Sequence, residues 1–580
     1  MTYGRILRLS LICLIWVPCS ALAVSRIDIH VGEIRHLSAE IENLNATLDM
    51  EGRWHGKATL KRGDLSQLAR DHSLPVTVSK GGVQGKAEFS GNNLALDAIK
   101  ADLSLRDAAF SDAEGMRAGE NVGGKVLLDA RRGRNRWNWT GSLDWTEGEV
   151  FWQPVYIARG GIAMQGSGWF DEDVAALEQG RVAMAGVGAV SLSGRLRRTD
   201  NAVDVLDVVA RDVDTAGFYG VVLKPFLEKT VLANLEAAGR MDATVSWREG
   251  ALAAFDVTLR GFDVEDRDSR FALYKVNAHI PWALNTPTQA SVQYAGGRVL
   301  KMRLGETSLQ GTLNGYSLTS PALTLPVLDG VLTLKDVSAA FVQKQWHWHL
   351  NASLTPVSMT EFTHAVGWPS MEGRISAMIP KVTYTAGRMA VEGAMLFNVF
   401  DGTVALTDLV LRDPLGAAPR LNADIRMREL DLGQLTRTFS FGAITGRLDG
   451  DVKGLELSKW KPVRFDADFH SSPGSYPMKI SQRAVENITA LGGAGATAAI
   501  QRSFLRFFKE FNYAKIGLSC KLKNGVCAMD GIEPTQSGFV IVKGSGIPAI
   551  TVLGYNRSVS WGELLERVQR ITQGNKPVIK

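Results

Sequence analysis

From residue 25 to about 475 apolar and polar side chains alternate with a period of two, and Gly, Asp-Gly or Asn-Gly interrupts the alternation every eight to fifteen residues or so. Successive side chains of an extended chain point to opposite faces, so such runs make strands with one oily and one wet face. Turn residues between them fold the strands into antiparallel meanders. Leu421, Ala423, Ile425 and Met427 face one way, and Asn422, Asp424, Arg426 and Arg428 the other. Trp137, Trp139, Leu143 and Trp145 alternate with Asn138, Thr140, Ser142 and Asp144. Glu147-Gly148 then predicts a turn, with Val150-Phe151-Trp152 as the return strand, and further turns are predicted at Gly296-Gly297, Asp329-Gly330 and Asp401-Gly402.

Glycine outnumbers proline 59 to 19 in the 580 residues, without a repeat of collagen type. From Ile444 to Val452 glycine also occupies the apolar face, where a missing side chain lets a sheet curve. The predicted fold class is mainly β, antiparallel, with a few amphipathic helices. Units of about 12 residues give about 40 strands, more than a compact sandwich contains. The sheet must therefore divide into domains or run on as a long, open, curled ribbon.

Three helices are predicted. One spans 224–239, opened by Pro225 and closed by Gly239, with Leu227, Val231, Leu235 and Ala238 on its stripe. A second helical region runs from about Ser481 to Phe511, with Ile500, Phe504, Phe507, Phe508 and Phe511 on one face and Arg502, Arg506 and Lys509 beside it. Such a face reads first as a helix plugging one end of the sheet, with contact to a membrane surface or acyl chain as the alternative. The third, Ser560 to Ile571, starts with a Ser560-x-x-Glu563 capping box and predicts a buried stripe of Leu564, Leu565, Val568 and Ile571.

Arg5 and Arg8 precede the apolar run Leu9–Val17, which Pro18 and the small residues Ala21 and Ala23 terminate. Residues 1–23 read as an export signal cleaved after Ala23, or else as an uncleaved inner-membrane anchor starting near Ile6. Both readings place the rest of the chain in an exported, oxidising compartment. Cys13 and Cys19 fall within that segment, which leaves Cys520 and Cys527 flanking Lys523-Asn524-Gly525. A disulfide is expected in an oxidising compartment. A four-residue loop would set the two thiols opposite one another, and a two-residue Asn-Gly turn would set them diagonally.

The sequence offers little for catalysis. It has no Gly-x-Ser-x-Gly, His-Glu-x-x-His, phosphate-loop or Cys-x-x-Cys motif, and no enzymatic activity, cofactor or metal is expected. His347 and His349 share a strand face but lack an evident third ligand, and their neighbours Trp346 and Trp348 are expected to point into the core. The acidic run Asp263 to Asp268 reads as a solvated connection, lacking the glycine and terminal glutamate of a calcium loop. Leu491-Gly492-Gly493-Ala494-Gly495 has no following lysine, so it reads as close helix packing or a flexible break. A net charge of +5 without a long basic run gives no support for nucleic-acid binding.

Gly239-Arg240-Met241-Asp242-Ala243, Phe400-Asp401-Gly402-Thr403-Val404, Asp413-Pro414-Leu415-Gly416, Leu430-Asp431-Leu432 and Gly446-Arg447-Leu448-Asp449-Gly450 follow one another in an order similar to that of AsmA-like envelope proteins. The tail, with Ile480 to Asn487, Phe504-Leu505-Arg506-Phe507-Phe508, Gly517 to Cys520, Asn524 to Cys527 and Lys543 to Pro548, resembles the C-terminal region of the YdbH branch. The resemblance covers about residues 225 to 575. It implies a bridge-like lipid transfer protein whose sheet curls into a taco-like groove. Such a groove carries phospholipid acyl chains between inner and outer membranes, and a small outer-membrane lipoprotein can extend the sheet by strand addition. An apolar trough left open by alternating strands agrees with that function. A scaffold for outer-membrane protein assembly, binding strands instead of lipids, is the alternative.

The expected layout is an N-terminal groove over 24–223, the helix at 224–239, a repetitive groove over 240–478 and a C-terminal region over 479–580. By strand parity the groove lining is Trp137, Trp139, Leu143, Leu421, Ala423, Ile425, Met427, Leu448, Phe465 and Phe469. A one-residue slip would invert that assignment.

Overall fold

A computed structural model describes residues 25–36, 38–69, 76–153, 155–200, 202–230, 232–367, 370, 373–413, 418–492 and 508–572. The expected export signal or anchor at 1–23, Asp413-Pro414-Leu415-Gly416 beyond Asp413, and the phenylalanine face at Phe504 and Phe507 lie outside these residues. The predicted class holds: the chain is mainly β, with 36 strands in an antiparallel sheet and few helices among the described residues. Among the described residues no helix is long and apolar enough to cross a membrane. The chain divides into two compact units, one of residues 1–209 with 221–226 and 248–250, the other of 210–220, 227–247 and 251–580.

In the first unit the strands are a simple meander. Arg26–His36 pairs with Ala39–Asp49, which pairs with Arg53–Asp64, then Thr77–Asn92, Ala95–Ser111, Arg117–Arg132 and Trp137–Trp152 in turn. Trp137–Trp152 pairs next with Ile162–Phe170, while the short strand Val155–Ile157 folds back on its end. Val174–Met184 and Gly188–Arg197 continue the ladder.

In the second unit a similar meander runs from Ala251–Asp266 to Lys461–Ser471, which pairs with Glu510–Lys523. The other end of Glu510–Lys523 pairs with Lys479–Ser481 and Gly538–Gly544. Helix Gln482–Gly492 belongs to the compact core built there, in which Ile480, Val485, Phe511, Phe539 and Val542 are buried.

A recurring unit interrupts both meanders. Asp64, Asp214, Ser358 and Asp431 each end a strand and cap a short helix by accepting a backbone N–H, giving helices Leu65–Leu68, Thr215–Phe218, Met359–Val366 and Leu432–Thr438. Asp64-Leu65-Ser66-Gln67-Leu68 and Asp431-Leu432-Gly433-Gln434-Leu435 are nearly the same sequence.

Several expectations are corrected. The predicted 224–239 helix lies too far along the chain. Helical residues run from Thr215 to Leu227, started by the Asp214 cap, and Leu235–Arg248 is a strand because its alternation extends back through Gly239 to Leu235. The Tyr219 hydroxyl fixes the connection by donating to the Leu232 carbonyl at 2.8 Å and accepting from the Leu235 N–H at 3.0 Å. The second helix keeps its first part, Gln482–Gly492, but Phe511 is a buried strand residue opposite Ile480. The third forms over Trp561–Thr572, yet Leu565 and Val568 are exposed, so its buried stripe is narrower than predicted.

Glu147-Gly148 and Gly296-Gly297 are not hairpin turns. Strand Trp137–Trp152 passes through Gly148, where φ of +90° and a register shift opposite Gly123 mark a bulge. Strand Phe271–Ala283 pairs with both Thr288–Tyr294 and Gly296–Val299, so the second glycine pair kinks a ladder instead of reversing it. Turns do form after Val327 and Val399, which pair with Gly330 and Gly402.

The acidic run is not a solvated connection either. It finishes strand Ala251–Asp266, and Asp266 is fully buried, accepting from Arg270 Nε at 2.7 Å and from a terminal guanidinium nitrogen at 2.6 Å. Trp348 packs in the core, stacked on Tyr384, but Trp346 at the strand end is exposed. The two-residue Asn524-Gly525 turn places Cys527 opposite Leu522 and Cys520 opposite Met529. The diagonal sulfurs are nonetheless bonded, with Cα atoms 5.5 Å apart.

Candidate apolar binding groove

Three registered rows build the apolar face of the first unit. One runs Ile99, Ala130, Trp139, Gly168, Leu177, Gly194 across six strands. The next runs Ala101, Leu128, Gly141, Gly166, Gly180, Leu192, and the third Leu103, Val126, Leu143, Met164, Val182, Val190. The middle row holds glycine on three consecutive strands. The space is used by neighbours: a Cβ on Gly166 would meet Leu177 at 3.0 Å and the Trp139 ring at 3.4 Å, and one on Gly180 would meet Leu177 at 2.8 Å. Large side chains from one row therefore lean over the glycines of the next.

This face is not sealed. Leu128 and Met164 each keep 37% of their surface exposed, and Trp137, Trp139 and Leu143 are half-buried. Two cavities open beside Trp139. One of about 490 Å³ is lined by Ile99, Leu128, Ala130, Trp137, Trp139 and Phe170. The other, about 420 Å³, is bordered by Trp139, Phe170, Leu177, Leu196, Leu206 and Arg198, among others. Trp137 and Phe170 are registered neighbours and stack with centroids 6.5 Å apart and planes 9° off parallel. Volumes of this size and lining suit an acyl chain or another slender apolar ligand.

The opposite face of the same strands carries a concavity of about 870 Å³, lined by Thr140, Ser142, Gln165, Ser167, Arg181 and Ser191 among others. Its side chains are as well satisfied by water, and it lacks the aromatic floor that would retain an apolar molecule. The smaller cavities around Trp139 are thus the candidate site, although the polar concavity is larger.

The parity-chosen residues fall into separate groups. Trp137, Trp139 and Leu143 share the face just described. In the second unit Leu421 and Ala423 pack in a cluster with Val382, Val391 and Leu409. Ile425, Met427, Phe465 and Phe469 pack with Val452, Ala467 and Leu522. Leu448 lies against the C-terminal core. Ala423 and Phe465 are buried, hence core residues and not an open lining. The Trp561 ring, at the start of the terminal helix, meets Phe465 edge-on at 5.2 Å and 76°.

Parity reading missed Phe170, Leu177 and Leu196. The signal was present in Ile162-x-Met164-x-Gly166-x-Gly168-x-Phe170, where two glycines conceal the apolar alternation. Among the described residues one group of three acidic side chains, Glu33, Glu40 and Glu42, is close enough to share a cation. Lys61 already lies 3.2 Å from Glu40 and 2.7 Å from Glu42, and Arg35 lies 2.7 Å from Glu33. No family model, curated protein or solved structure matches the chain.

Proposed function

We propose that this protein carries phospholipids between membranes of the cell envelope by sheltering their acyl chains on the apolar sheet face, with no bond made or broken. The observation that carries the reading is the unsealed Trp137–Trp139–Phe170 surface and its two apolar cavities. Exposed apolar surface of this extent in water calls for a ligand or partner. The bonded Cys520–Cys527 pair supports an oxidising compartment. The motif order shared with AsmA-like proteins supports transport over a generic binding role.

The test is to purify the exported part of the chain, extract it and quantify co-purifying phospholipid by mass spectrometry. A photocrosslinker at Leu128 then reports what occupies the cavity. Acyl adducts are expected; absence of lipid together with absence of acyl adducts ends the proposal. Crosslinked polypeptide in place of lipid would instead indicate a scaffold for other β-strands.

A further inference from the structure

We infer that the end of the apolar face at Trp137 and Phe170 selects lipids with anionic, phosphate-bearing headgroups through Arg132 and Arg198. This inference rests on the lipid-binding reading above. The last apolar row of the face runs Trp137, Phe170, Ala175, Leu196. Arg132 is the registered partner of Trp137, two residues beyond Ala130 and so on the same face. Arg198 lies two residues beyond Leu196 and borders the 420 Å³ cavity. The apolar face thus ends in arginine on both flanks of its aromatic stack.

Arg198 is held in place. Its N–H donates to the Asp173 carbonyl at 2.7 Å, its guanidinium donates to the Asp171 carbonyl, and the group lies 5.8 Å from the centre of the Phe170 ring. Those contacts leave further N–H donors of the five in a guanidinium. Arg132 is exposed and, among the described residues, has no carboxylate partner. Arg134 in the same hairpin adds positive charge, whereas Arg136 stacks over Trp169 at 4.8 Å on the opposite face of the strands. The facing acidic turn opposes this field: it carries Asp171, which accepts the Asp173 and Val174 N–H groups, with Glu172 and Asp173 on the solvent side.

Aromatic side chains at the mouth with guanidinium groups just beyond them match a ligand that is apolar along its length and anionic at one end. A zwitterionic headgroup carries a compensating ammonium and gains less from the same two arginines. The chemistry recognised is a phosphate monoanion, and either a lipid headgroup or free phosphate could supply it.

The experiment loads the full exported chain from vesicles of equal phosphatidylglycerol and phosphatidylcholine with matched acyl chains, then measures the bound ratio by mass spectrometry. Enrichment of phosphatidylglycerol by about tenfold is expected from two near-surface arginines. The Arg132→Gln/Arg198→Gln variant should bring the bound ratio near one, while Arg132→Lys/Arg198→Lys keeps most of the preference. Excess inorganic phosphate should leave the wild-type ratio unchanged. An unchanged ratio in the Gln variant, or loss of the preference in free phosphate, overturns the headgroup inference and leaves lipid binding standing. A wild-type protein that takes up neither lipid overturns the lipid-binding reading itself.

Discussion

The ring of Phe469 lies over Gly450, its registered partner on the neighbouring strand, so that a Cβ on the glycine would meet Phe469 Cδ1 at 2.7 Å and Met427 Cε at 3.4 Å. The same pairing recurs where Phe89 faces Gly56, Phe110 faces Gly119 and Phe539 faces Gly554. In each, the aromatic ring fills the space and shields the backbone that the glycine leaves bare, which offsets the poor strand preference of glycine. Glycine on the apolar face therefore serves packing as well as curvature.

Replacing Gly450 with valine puts a branched side chain into that ring. Gly450→Val should destabilise the second unit by about 1–3 kcal/mol, as overpacking does. Phe469→Leu in the same chain should recover part of the loss. Chemical denaturation of the wild type, both single variants and the double variant measures the coupling; additive effects would show that ring and glycine act independently.

Trp139 borders both of the apolar cavities described in the first unit, so a charge there is placed where acyl carbon would lie. Trp139→Glu is expected to lower co-purifying lipid at least about fivefold, because a desolvated carboxylate costs several kcal/mol. The circular dichroism spectrum should be unchanged, since the residue is half-buried on an open face. Equal lipid in variant and wild type would remove Trp139 from the binding surface.

Cys520 and Cys527 are separated by seven positions in the chain. Closing so short a loop contributes about 2.5 kcal/mol on a chain-entropy account. Cys520→Ser/Cys527→Ser should lower the denaturation midpoint by a corresponding amount, and reductant should do so in the wild type but not in the variant. Identical midpoints with and without reductant would show that the bond adds nothing to stability.

Strand identity was legible because alternation is a local property, and it placed Trp137, Trp139 and Leu143 on one face and Leu421 to Met427 on another. Parity fails to carry through a bulge. Asp408 and Glu429, with φ of 53° and 55°, sit at register shifts that return Leu411 and Leu430 to the apolar side after odd steps from Leu406 and Met427. Gly148 looked like a turn for the same reason: positive φ serves both devices, and only the partner strand decides between them. The Asp64 and Asp431 helix caps were readable as a near-repeat, yet each helix is too short to show a 3.6-residue period. Whether an apolar side chain is open, like Leu128, or covered, like Phe465, depends on contacts distant in sequence, here the ring of Trp561.

Asp266 provides a pH test of how one hairpin of the second unit is fastened. Its carboxylate, buried at the end of strand Ala251–Asp266, accepts three N–H groups of Arg270, one backbone and two guanidinium, across the turn into strand Phe271–Ala283. These bonds, with the Arg270 side chain foremost, hold its pKa down to about 2. A carboxyl whose folded value lies below its unfolded value stabilises the fold above the unfolded value, about 3.9 for Asp, and loses that contribution as pH falls toward the folded one. The melting temperature of Asp266→Asn should therefore lie a few degrees below wild type at neutral pH, with the gap constant down to about pH 5. Between about pH 4 and pH 2 the gap should close, because protonation removes from the wild type the charge that the variant already lacks. A gap that persists unchanged at pH 2 would assign the effect of Asp266 to side-chain packing and not to its pairing with Arg270.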